Sequence, residues 1–223
     1  MKTKSSSKNQ RLIVSTEERL RRDLIIVNNP VLVEGLALAP VIAACVTLRN
    51  AMMLSVMIPI LHIPTRFFGN LLIGSIPQRL RAPLYSIMAC IFYIPGYMAL
   101  FRLFGVNIAN LGIYLPMLVV DSIILSRTDI PQREKIGASL TNGIVTSFGF
   151  AFAAITVGAV REILGLGRIW GIEIAKRAPI PIINTAAGGF MIVAILCAVL
   201  QYFISLIKRA KYRGAKESQL LSE

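Results

Sequence analysis

Apolar runs too long for the core of a soluble domain dominate this chain, and they fix the medium it folds in. One bilayer crossing takes about 20 mostly apolar residues. Segments of that kind recur six times, at roughly 31–48, 52–76, 83–104, 108–126, 140–164 and 180–207. Charged residues make up only 16% of the 223, too few to coat a soluble domain of this size. The expected fold is therefore an all-α polytopic membrane protein of six transmembrane helices. It has three parts: a basic arm at 1–28, a six-helix membrane domain at 29–207 and a polar, basic tail at 208–223. A short surface helix is expected within the arm, through Leu12 to Leu24.

The net charge of +13 raises nucleic acid as a partner, but its distribution excludes it. Lys and Arg gather at the two ends and in short loops, without the interleaved aromatics of a single-strand binder. With the N-terminus inside, seventeen of them fall on the inner side and six on the outer. The positive-inside rule then places both termini in the cytoplasm.

Proline inside a membrane helix frees backbone groups that protein or water must satisfy. Pro40 and Pro116 fall at the same place in the first and fourth spans. Matched breaks in two halves point to a three-plus-three inverted repeat with a site near the midplane. Pro59 and Pro64 interrupt the second span, and Pro95 lies in the third.

A few polar residues stand where lipid-soluble ones are expected. Asp121, followed by Ser122, lies in LPMLVVDSIILSR (115–127). A carboxylate at helix centre costs about 2.5–3.5 kcal/mol on insertion scales, and such residues mark ion or proton routes or bond to broken backbone. Asp121, Ser122 and Glu34 are the ion-pathway candidates, although Glu34, near the start of the first span, also fits a carboxylate reaching to water. Arg161 and Glu162, adjacent in GAVREILGLG, are read as structural ion-pair residues that pair with other segments, since helix neighbours do not face each other.

Classical catalysis finds no footing. There is one histidine, His62, no GxSxG, no Walker loop, and GLG at 165–167 reads as a loop. Cys45, Cys90 and Cys197 each stand alone in apolar runs, so no local metal motif is present and no metal is expected on this chain alone.

In NPVLVEGLALAP (29–40), LGIYLPMLVVDSIILSR (111–127) and GAVREILGLG (158–167) the chain resembles the RnfE/NqrD family. These are membrane subunits of the Rnf and Nqr ion-translocating oxidoreductases of bacterial membranes. The resemblance covers about 28–207. It implies a bacterial inner-membrane subunit paired with a homologous six-helix subunit of opposite orientation, alongside partners carrying flavin or iron–sulfur centres. It also implies a [2Fe–2S] cluster shared between the pair, with two cysteines from each subunit: one in an LCP of the first span, one after an Asn in the fourth. Here those motifs read Leu38-Ala39-Pro40 and Asp121-Ser122. Ala39 and Ser122 thus occupy the ligand positions without a thiolate, and cluster iron is held by thiolate or, occasionally, imidazole. Cys45 lies six residues beyond Ala39, about 9 Å along a helix and on another face. A carboxylate and a hydroxyl suit Na⁺ or a proton better than iron. Two readings of Asp121 stay open: a protonatable or cation-binding residue, and a filler of a vacated seat. An ion-conducting or purely structural scaffold with no redox role is the alternative to a redox subunit.

Overall fold

The computed structural model describes residues 31–73, 76–126, 136–170, 172–173 and 179–220, with side chains as far as 206. The basic arm, its expected helix and the loop 127–135 lie outside the described residues.

Helices make up most of the described chain. In order they are α1 (Leu38–Ala44), α2 (Leu48–Leu72), α3 (Arg81–Phe104), α4 (Tyr114–Met117), α5 (Ser122–Leu125), α6 (Ile136–Leu166) and α7 (Ala186–Leu220). Short 3-10 turns occupy Gln78–Leu80, Gly105–Leu111, Leu118–Val120 and Pro181–Asn184. A two-residue antiparallel ribbon, β1 (Arg168–Ile169) with β2 (Ile172–Glu173), follows α6. Among the described residues four stretches are long and apolar enough to cross a membrane: Leu48–Leu72, Gln78–Leu111, Ile136–Leu166 and Ala186–Leu206. The chain is a polytopic all-α membrane protein.

The first and fourth expected spans are the exceptions, being built from short pieces, and their breaks do not fall at the prolines. In the first span the chain turns through Gly35 and Ala37, both with positive φ (72° and 55°), before α1 starts. Pro40 sits in the first turn of α1, where its missing N–H leaves no intrahelical bond unmade. In the fourth span Pro116 lies inside α4, and the break comes at Asp121, whose ψ of 153° is extended. Pro59 and Pro64 lie within an unbroken α2 and Pro95 within an unbroken α3. Packing around a membrane helix re-satisfies the groups a proline releases, so proline alone does not dictate a break.

The most extensive pairing joins α2 to α6. A side chain on Gly158 would meet the Ala51 Cβ at 2.7 Å, and one on Gly143 would meet the Arg66 Cδ at 3.4 Å. The two helices therefore run antiparallel. Ser139, Gly143, Ser147, Ala154 and Gly158 are buried along α6, a row of small residues that lets the backbones approach, as membrane helices require. On its other side α2 packs against α3, where Gly69 accommodates the Tyr85 ring. The outer faces of α3 and α7 expose large apolar residues such as Ile94, Met98, Phe190 and Met191, as surfaces turned to lipid do.

Candidate functional site at the helix breaks

The two breaks meet. The backbone N–H of Ala37 donates to Ser122 Oγ at 2.8 Å, joining residues 85 apart in sequence. The Ser122 hydroxyl in turn donates to Asp121 Oδ1 at 3.3 Å. Asp121 is the N-cap of α5, its Oδ1 accepting from the Ile123 N–H at 3.1 Å and its carbonyl from Ile124 and Leu125. A residue that leaves a helix in extended conformation and caps the next is the usual task of aspartate. Its neighbour Ser122 satisfies the buried amide of the other break. Around the seam Glu34, Gly35, Ala39, Val120 and Ser122 are exposed, and Asp121 is half-buried. Ala37, Pro40, Val41, Ile123 and Ile124 are buried. Asp121 and Ser122, expected together from sequence, are thus joined to Ala37. Glu34 and Ala39 lie on the first of the two segments, without a described hydrogen bond to Asp121 or Ser122.

A second polar knot lies where α1 ends. Arg161, 1% exposed, directs its guanidinium at five backbone carbonyls. Nε donates to Ile183 at 3.2 Å, Nη1 to Ile42 at 2.5 Å and to Cys45 at 3.5 Å, and Nη2 to Asn184 and Thr185 at 3.2 Å each. The five N–H donors of a guanidinium all find acceptors, which is how a buried cation is tolerated. Gly189 leaves room for it, since a Cβ there would lie 3.2 Å from the guanidinium carbon. Glu162 faces the other way and accepts the Leu48 N–H at 2.6 Å, completing the N-terminus of α2 that Thr47 caps through Asn50. Asn50 also reaches back to the Ala44 carbonyl at 3.2 Å.

Arg161 and Glu162 therefore bond other segments, but to backbone; among the described residues neither meets an opposite charge. Short half-helices leave many terminal carbonyls and amides unmade, and these are the partners that Arg161 and Glu162 take. Sequence reasoning passed over this role, and over Asn50, Asn184 and Gly189. The available signal was spacing: Arg161 falls between Gly158 and Gly165 on the buried stripe of α6.

The chain matches the family model described as "Rnf-Nqr subunit, membrane protein" over residues 19–197. The chain belongs to the Rnf-Nqr subunit family. Among its relatives is the E component of the ion-translocating oxidoreductase complex of Shewanella frigidimarina, 30% identical over 146 residues, which is 65% of this chain and 63% of that protein. The proteins of the same name from Shewanella amazonensis and Shewanella oneidensis are 31% and 30% identical over 145 residues, covering 64% of this chain and 62% of theirs. The matched stretch thus spans somewhat under two thirds of these relatives.

The Rnf-Nqr resemblance carries the expectation of a [2Fe–2S] cluster, and the donor set at the seam does not fit one. Ala39 has no donor atom, and the Ser122 hydroxyl is engaged both as acceptor and as donor. Cys45 is fully buried at the far end of α1, whereas Ala39 is exposed. Among the described residues no three His, Cys, Asp or Glu gather to hold a metal ion.

Proposed function

We propose that this chain is an integral membrane subunit of a bacterial ion-translocating oxidoreductase complex, docked through the seam of its two broken helices against a homologous six-span subunit. The observation that carries this reading is the meeting of the two breaks, with exposed residues at both, in a chain of this family. Backbone irregularity at membrane depth is tolerated only where protein or water covers it, and a partner subunit would provide that cover. The six spans, as a three-plus-three inverted repeat, would include the segments around α1 and around α4–α5, with both termini in the cytoplasm of an inner membrane. Flavin or iron–sulfur centres that feed electrons to the complex would reside on other subunits.

Within this reading Asp121 is the ion-pathway residue, with Ser122 hydrogen-bonded to it and Glu34 as an exposed carboxylate on the other broken span. Oxygen donors of this kind suit Na⁺ or a proton. The alternative, a scaffold with no redox or ion role, draws support from one observation: Asp121 and Ser122 are both engaged in capping backbone.

The test is purification of a tagged chain from bacterial membranes, followed by ion uptake in reconstituted vesicles. Co-purification of further redox subunits is expected, and a chain that emerges alone sinks the complex. Asp121→Asn should abolish ion uptake while electron flow persists; unchanged uptake favours the scaffold.

A further inference from the structure

We infer that the seat between the two broken helices is closed in this chain by a hydrogen-bonded lock, Ala37 N–H to Ser122 Oγ backed by Asp121, and that the chain gives no ligand to an iron–sulfur cluster there. The inference rests on the proposed function in taking the seam as the partner-facing side.

Three observations carry it. Ala37 has a φ of 55°, a left-handed conformation rare outside glycine, which persists only where the surroundings over-determine it. Ala37 is 1% exposed, so its N–H has no water to turn to; the acceptor that holds it is Ser122 Oγ. The same hydroxyl gives its proton to Asp121 Oδ1, the oxygen that also starts α5. One serine thereby ties the start of α1 to the start of α5. Ligation of iron would need that oxygen deprotonated, which removes its bond to Asp121 Oδ1 and sets two anionic oxygens side by side. The other seat, Ala39, offers iron nothing. An interface that hydrogen bonds hold on this side needs no metal to keep its two halves in register.

The experiment uses the intact complex purified through the tagged chain, as wild type, Ser122→Ala and Ser122→Thr. Iron, acid-labile sulfide and the electron paramagnetic resonance of the dithionite-reduced complex are measured with the melting midpoint. The lock predicts iron, sulfide and spectrum unchanged in Ser122→Ala, a lowered midpoint, and a midpoint restored in Ser122→Thr. Loss of about two irons per complex in Ser122→Ala, the complement of a [2Fe–2S] centre, overturns it, as does a midpoint equal to wild type. Should Ser122→Ala fail to assemble, Mössbauer spectra of ⁵⁷Fe-grown wild-type complex decide. All-sulfur or nitrogen–sulfur iron upholds the lock; an iron site with an oxygen ligand refutes it. Failure of the proposed function shows separately, as a tagged chain without partner subunits.

Discussion

Asp121 and Ser122 are sequence neighbours under different demands, and single substitutions separate them. Asparagine caps a helix about as well as aspartate, so Asp121→Asn should keep the start of α5 and remove only the charge. Its midpoint should stay near wild type while any ion coupling disappears. Asp121→Ala loses the cap as well and should cost about 1 kcal/mol in a denaturation series. Ser122→Ala orphans a buried amide and should cost about 1–3 kcal/mol. Arg161 answers to a harsher rule. Arg161→Lys keeps the charge but replaces a planar five-donor fork with three donors on one nitrogen, leaving at least two of the five carbonyls without a side-chain donor. A loss of more than about 2 kcal/mol is expected from unmade buried hydrogen bonds. A melting curve superimposable on wild type would mean that those carbonyls do not need the fork.

Between elements, glycine decides how near two helices come. At Gly158 an added Cβ would lie 2.7 Å from the Ala51 Cβ and 3.2 Å from the Thr47 carbonyl oxygen. Gly158→Val should therefore separate α2 from α6 and cost about 1–3 kcal/mol of overpacking strain, read as a lower yield of folded protein in detergent. Gly69→Ala collides with the Tyr85 ring, and Tyr85→Leu in the same chain should relieve part of the loss. Additive losses in that double mutant would deny the contact. The helices themselves were legible from hydropathy, because α2, α3, α6 and α7 each carry an apolar run of membrane length. The breaks were located one step off. Pro40 and Pro116 drew attention to the right spans, yet the turns occur at Gly35–Ala37 and Asp121. Proline is visible in any sequence, whereas a left-handed alanine is a property of its surroundings. Ser122 was readable as a polar misfit; that it would cap an amide 85 residues away was not, since nothing local marks the partner. The partners of Arg161 were hidden for a related reason: backbone carbonyls carry no letter in the sequence.

Across the whole molecule, the central pair is formed by helices from different halves of the chain. Along its buried face α2 carries His62, Thr65, Arg66 and Asn70, covered in the finished protein by α6 and α3. During synthesis α6 leaves the ribosome only after α3, α4 and α5 have passed. Until then that face of α2 lacks the cover of α6, and polar side chains left among acyl chains are costly. The insertion machinery must therefore shelter the first half until its counterpart arrives. A chain stopped after α3 would be held at the lateral gate or handed to membrane proteases.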